Sequence, residues 1–186
     1  MDFSHYNDHP VDLAVDLVNS FDATDNSEDL LTPADVARFI DTHENQDWCS
    51  PGWKPTERDL HEVRALRSRL REVFSAEDET SAAAVLNGIL ADVNAVPRLS
   101  VHGQGPHLHF ESRDTSPARW LGAITAMGLS VAMIEGGFDR FGICAAGTCE
   151  DVFVDTSRNH SRLHCSGKCT TRENVAAHRA RQKEQV

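Results

Sequence analysis

The sequence of 186 residues lacks the features of a secreted or membrane-spanning chain. Its first ten residues, MDFSHYNDHP, contain no basic leader followed by an apolar run. No stretch approaches the roughly eighteen consecutive apolar residues that are needed to cross a membrane. We therefore expect a soluble cytoplasmic protein with no membrane partner. In that reducing compartment, clustered cysteines more often bind a metal or do redox chemistry than form structural disulfides.

Enzyme motifs, internal repeats and low-complexity segments are lacking as well. Serine, histidine and acidic residues occur throughout the chain, but no nucleophile motif surrounds them. We therefore expect no enzymatic activity.

Basic residues are scarce over most of the chain and concentrate in its C-terminal part. The whole sequence has 18 Lys and Arg against 29 Asp and Glu, a net charge of −11. Residues 1–143 carry a net charge of −13, and residues 144–186 carry a net charge of +2. This balance argues against nucleic-acid affinity of the whole surface, and it predicts that a polyanion would bind the C-terminal segment.

Hydrophobic spacing and capping signals predict an α+β protein with a mostly helical body. The strongest helix follows Thr56, which forms a capping signature with Asp59 and precedes apolar residues at helical spacing. A long helix begins after Ser116 and ends at two glycines. We expect a body over residues 1–139 and a second, minimal domain over residues 140–186, made of short strands and one helix.

A small antiparallel β-hairpin is predicted between these two helices. The segments RLSVH and HLHFE flank the turn sequence GQGP. Pairing Val101 with Leu108 and Leu99 with Phe110 would put four apolar side chains on the interior face. The same register would turn three histidines toward solvent, namely His102, His107 and His109.

Four of the five cysteines form two close pairs in the C-terminal part of the chain, Cys144-x4-Cys149 and Cys165-x3-Cys169. Such pairs can surround one zinc ion in a closed tetrahedron, and this segment has too few large apolar residues to build a core of its own. Two disulfides or four unrelated cysteines are the alternatives. A redox site is disfavoured, because no C-x-x-C pair lies beside a βαβ unit. We expect one structural zinc ion per chain, bound by these four cysteines.

The C-terminal segment resembles the CGNR zinc finger, a module of bacterial regulators. The resemblance rests on the cysteine spacing, the strand VFVDTSRN, the arginine three residues after the fourth cysteine and the AHRAR end of the last helix. The segments LAVDLVNS and LHEVRALRSRLREVF are similar to ABATE, the partner domain of that family. The family takes its name from the motif Cys-Gly-Asn-Arg. This chain has Cys169-Thr170-Thr171-Arg172 at that place, so the first and last residues of the motif are kept and the two inner ones are replaced. The resemblance implies a bacterial transcription regulator with a DNA-binding zinc finger.

Basic and amide side chains of this segment are the candidates for contact with DNA. Arg172, Arg179 and Lys183 are spaced so that they share one face of the predicted terminal helix. The alternative is a solvated face on a protein-interaction module, in which the zinc ion is purely structural. Because one small finger offers few contacts, useful affinity for DNA would require a homodimer reading two half-sites. The full set of candidates is Arg158, Asn159, Arg162, Lys168, Arg172, Arg179 and Lys183.

A polar stripe on the first predicted helix indicates a ligand-binding site in the body. Asp12, Asp16 and Asn19 interrupt an otherwise apolar helix at a spacing that puts them on one side. Arg67 belongs to an arginine row on the helix after Thr56, and this row could meet the stripe inside the fold. We expect Asp16, Asn19 and Arg67 to bind a small polar effector, and a solvated helix edge is the alternative.

Overall fold

The structure is a computed structural model that describes residues 8–43, 52–101, 106–112 and 116–184. This part of the chain forms six α-helices and three two-stranded antiparallel hairpins, which confirms the predicted α+β class. The helices are α1 (Asp8–Asn19), α2 (Pro33–His43), α3 (Glu57–Phe74), α4 (Glu79–Asp92), α5 (Pro117–Gly136) and α6 (Gly167–Glu184). The strand pairs are β1 (Phe21–Asp22) with β2 (Ser27–Glu28), β3 (Ala95–Ser100) with β4 (His107–Ser112), and β5 (Phe141–Ile143) with β6 (Val152–Val154).

Helix α3 begins at the predicted capping signature. The Thr56 hydroxyl accepts a hydrogen bond from the Asp59 N–H, and the Asp59 carboxylate accepts one from the Thr56 N–H. The apolar residues at helical spacing then form one inward face, which packs on α1, α2, α4 and α5. The buried residues of α3 are Leu60, Val63, Leu66, Arg67, Leu70, Val73 and Phe74.

Helix α5 runs through the core of the body. The Ser116 hydroxyl accepts a hydrogen bond from the Arg119 N–H, and Pro117 occupies the first turn, as the sequence predicts. By length and composition α5 could cross a membrane, but 67% of its most apolar window is buried inside the fold. Its apolar character therefore reflects contacts with α1, α3 and α4 in the core.

The β3–β4 hairpin exists, but its predicted register and orientation are wrong. Leu99 pairs with Leu108, so the strands are shifted by two residues from the predicted pairing. Leu99 and Val101 are 67% and 77% exposed, whereas His109 is 6% exposed. The reason is that β4 packs on α5 through the face that carries His109. A two-stranded ribbon has only one covered face, and here the face that carries Leu99 is the exposed one, against the expectation from its apolar residues. His102 lies outside the described residues.

The β5–β6 hairpin joins the C-terminal segment to the core of the body. Phe141, Val152 and Val154 belong to the same buried cluster as the inward faces of α1, α3 and α5. The Phe74 and Phe141 rings lie 5.6 Å apart. The apolar residues of this hairpin therefore fold against the helical body, while the cysteines beyond them form a separate small cluster with Ala146.

Candidate metal centre

The two cysteine pairs converge at one end of the β5–β6 hairpin. Cys144 follows β5, and Cys149 closes a turn in which its N–H donates to the Ala146 carbonyl. Cys165 precedes α6, and Cys169 lies in the first turn of that helix. The Cys144 N–H donates to the Asp151 carbonyl, which ties the first pair to the start of β6. The four Sγ atoms all lie within 4.8 Å of one another.

The spacing of the sulfurs fits a tetrahedral zinc ion. Cys165 Sγ lies 3.6 Å from both Cys149 Sγ and Cys169 Sγ. Sulfurs bound at about 2.3 Å in a tetrahedron stand about 3.8 Å apart. A disulfide would require about 2.05 Å, and all four cysteines are free thiols. The donor set and the distances therefore support the predicted zinc ligands Cys144, Cys149, Cys165 and Cys169, with one structural zinc ion.

The surroundings of the thiols favour a bound cation. Burial raises the pKa of Cys149 to about 12 and raises the pKa of Cys165 as well, since desolvation disfavours a lone thiolate. A hydrogen bond with Ser166 lowers the pKa of Cys169, which lies at the N-terminal end of α6. A zinc ion would supply the positive charge that lets all four sulfurs bind as thiolates.

Arg162 stabilises the loop that precedes the second cysteine pair. Its guanidinium lies 5.0 Å from the centre of the Phe153 ring and donates to the carbonyl oxygens of His164 and Cys165. The Arg162 N–H donates to the Asp155 carboxylate, which is 3% exposed. In the structure Arg162 thus contacts the Phe153 ring and the backbone of the cysteine loop, and its contact with DNA stays a prediction.

Helix α6 projects from the cysteine cluster into solvent. Every side chain described from 174 to 182 is exposed. One side of the helix forms an open basic surface, here called the α6 face, which is lined by Gly167, Lys168, Thr171, Arg172, Val175, Ala176 and Arg179. Of the predicted DNA contacts, Lys168, Arg172 and Arg179 therefore lie together. Arg158 and Asn159 are exposed in the turn after β6, and Lys183 lies in the last turn of α6.

The three residues predicted to bind an effector have different partners. The Asp16 carboxylate lies 3.0 Å from His43 Nε2, and its side chain is 57% exposed. Arg67 forms a two-bond ion pair with Glu28 and also donates to the Ser20 hydroxyl. The expected contact between Arg67 and the stripe is therefore replaced by one with β2, and effector binding stays a prediction.

Asn19 connects the body to the zinc segment, which sequence reasoning missed. Its side-chain amide donates to the Val152 carbonyl at 3.0 Å and accepts from the Val152 N–H at 2.8 Å. The amide thus pairs with β6 as a neighbouring strand would. Arg71 on α3 adds a second link, because it donates to the Glu150 carbonyl. The sequence did carry a signal for this contact. Asn19 ends a helix that is otherwise mostly apolar, and an amide at such a position indicates a polar partner inside the fold.

Two family models match the chain, one over the body and one over the zinc segment. The ABATE model, described as a putative stress-induced transcription regulator, matches residues 11–135. The CGNR zinc finger model matches residues 140–182. No curated protein matches the chain. Neither description is that of an enzyme, and both agree with the resemblance drawn from the sequence.

Proposed function

Since the chain belongs to the ABATE family and ends in a CGNR zinc finger, we propose that it is a cytoplasmic transcription regulator that binds DNA through α6. The observation that carries the proposal is the exposed α6 face, on which Lys168, Arg172 and Arg179 lie together. An 18-residue helix is about 27 Å long, and the major groove of DNA is wide enough to admit it. The basic side chains would contact phosphates on either side of the groove.

The small side chains of the α6 face support close approach to a duplex. Thr171, Val175 and Ala176 lie between the basic residues and would allow the helix backbone to approach the base edges. The zinc centre contributes by holding the first turn of α6 at a defined angle to the body. Because residues 1–143 carry a net charge of −13, the body must lie away from the DNA in the complex.

One α6 face offers only a few phosphate contacts, and specific recognition therefore requires two copies. We propose that the protein binds as a homodimer to two half-sites. Size determination in solution with and without duplex DNA tests this arrangement, and a complex of one chain per duplex would contradict it.

Two arginines of the same helix provide the matched test of the DNA proposal. Arg179 lies on the α6 face, and Arg181 lies two residues further along, on the opposite side of the helix. Replacing Arg179 by Ala should weaken binding to duplexes of any sequence and reduce the slope of log affinity against log salt by about one. Replacing Arg181 by Ala should leave both quantities near those of the unmodified protein.

Titrations of a labelled duplex at several salt concentrations measure both variants, and zinc content is measured in parallel. If both substitutions weakened DNA binding equally, the α6 face would not be the DNA-binding surface, and the proposal would be wrong on this point. Absence of DNA binding even at low salt, together with a protein that co-purifies through residues 144–186, would favour the protein-interaction module instead.

A further inference from the structure

Arg172 contacts one of the zinc ligands directly. Its Nη2 atom donates a hydrogen bond to Cys169 Sγ at 3.1 Å. The two residues stand three positions apart in the first two turns of α6, a spacing that brings side chains onto the same side of a helix. Cys169 is 6% exposed whereas Arg172 is exposed, so the guanidinium covers this sulfur from the solvent side.

The charge around the cysteine cluster gives this contact its importance. A zinc ion with four thiolates carries a net charge of −2. A carboxylate oxygen of Asp151 lies 3.3 Å from Cys165 Sγ and adds negative charge next to the cluster. A cationic donor next to Cys169 offsets part of this excess, and hydrogen bonds between charged groups are about twice as strong as neutral ones.

The positive charge of Arg172 also acts on Asp22, at the end of the β1 strand. Hydrogen bonds from Thr24 lower the pKa of Asp22, and the positive charge of Arg172 lowers it further. Asp22 belongs to the body and Cys169 to the cysteine cluster. The charge of Arg172 therefore acts on a carboxylate of the body as well as on the sulfur that it contacts.

We propose that Arg172 is a positioning residue of the zinc site, whose hydrogen bond to Cys169 Sγ holds this ligand in place and slows loss of the metal. This inference rests on the zinc centre and is independent of DNA binding. It distinguishes Arg172 from Arg179, which lies on the same α6 face but two turns away from the sulfurs.

The experiment compares Arg172→Leu with the matched control Arg179→Leu in the full-length zinc-loaded protein. Leucine keeps a high helix propensity but cannot donate a hydrogen bond. The rate at which a chromophoric chelator removes zinc should rise about tenfold or more in Arg172→Leu, the usual effect of losing a partner of a metal ligand. It should stay unchanged in Arg179→Leu. Arg172→Lys should restore part of the loss, because the ammonium group can still donate to the sulfur.

Cobalt substitution supplies a spectroscopic readout that a general loss of stability would not move. A hydrogen bond to a thiolate lowers the energy of the sulfur electrons. Removing it should shift the sulfur-to-cobalt charge-transfer band to longer wavelength in Arg172→Leu, and not in Arg179→Leu. Circular dichroism of the zinc-loaded variants checks that the helices are retained.

The outcomes separate this inference from the DNA proposal. Equal zinc-loss rates and equal cobalt spectra in the two leucine variants would overturn the positioning role. If Arg172→Leu retained zinc normally but bound DNA as weakly as Arg179→Leu, Arg172 would be a phosphate contact only. If zinc loss accelerated while the unmodified protein failed to bind DNA, the positioning role would stand and the proposed function would fail.

Discussion

At the scale of single residues, the ion pair between Arg67 and Glu28 is the most consequential polar contact of the body. Both side chains are largely buried, at 10% and 16% exposure, and two hydrogen bonds of 2.7 Å join them. Arg67 also lies 5.2 Å from the centre of the Phe21 ring. The pair fixes β2 against α3, and removing one partner would leave the other buried and uncompensated.

We expect Glu28→Gln to reduce the free energy of unfolding by about 3 kcal/mol, since Arg67 loses its counter-charge. The matched control is Glu62→Gln, because Glu62 pairs with Arg58, whose side chain is 85% exposed. That change should cost less than about 1 kcal/mol. Urea denaturation measures both, and equal losses would show that the Arg67 pair is no stronger than a surface pair.

The Arg67–Glu28 pair also predicts that the free energy of unfolding depends on pH. The sign of this dependence follows from the pKa of the Glu28 carboxylate. Burial alone would raise the pKa of Glu28, but hydrogen bonds from Arg67 and the Leu30 N–H outweigh it and hold the pKa below its usual range. The folded pKa is depressed, so the pair's contribution to stability is full above the unfolded pKa of about 4.5 and is lost as the pH falls through the folded value. Glu28→Gln should remove the part of the stability that is lost in acid.

Sequence reasoning found the chemistry of the cysteines more easily than the partners of the arginines. The spacing of four cysteines is enough to predict a zinc ligand set, because a short turn brings the two members of each cysteine pair together. The partner of Arg67 depends on a tertiary contact with Glu28, 39 residues away in the sequence, which sequence spacing does not encode. The family motif is instructive, since the two members that this chain keeps, Cys169 and Arg172, are the two in contact.

At the scale of elements, the helices were predictable because their ends carry local signals. Thr56 and Ser116 cap α3 and α5 through hydrogen bonds within three residues, and such contacts need no knowledge of the rest of the fold. The β3–β4 hairpin was predictable as an element but not in register. Its orientation depends on which face α5 covers, and that contact joins residues distant in the sequence.

The crossing of α1 and α5 offers a test of packing between elements. A Cβ atom added at Gly128 would lie 2.5 Å from Pro10 Cβ and 3.0 Å from the Pro10 carbonyl carbon. Gly128→Ala should therefore destabilise the protein by about 1 to 3 kcal/mol, as overpacking does.

The control is Gly88→Ala in α4, where the nearest atom is the far end of the flexible Arg69 side chain, at 3.1 Å. It should stabilise α4 by about 0.5 to 1 kcal/mol through helix propensity. Thermal melts that shift the same way in both variants would contradict this account of the crossing.

At the scale of the whole molecule, the zinc segment is held in two different ways. Phe141, Val152 and Val154 lie in the main core, and Asn19 and Arg71 bond to the backbone beside them. Beyond this hairpin, the cysteine cluster holds the first turn of α6, and the remainder of that helix is exposed. The position of the hairpin therefore depends on the body, whereas the position of α6 depends on the metal.

Removal of zinc should consequently unfold α6 and leave the body intact. Most of the stability of a helix in a protein comes from packing, and α6, which is exposed over most of its length, would lose its anchored first turn. Circular dichroism should show a loss of about one fifth of the helical signal on chelation, recovered when zinc is restored. Hydrogen exchange should become fast in α6 and around Cys165, while amides of β6 and α3 stay protected. Loss of protection in α3 at the same zinc concentration would show instead that the metal holds the whole fold, and that the hairpin contacts with Asn19 and Phe74 are too weak to keep the two parts together.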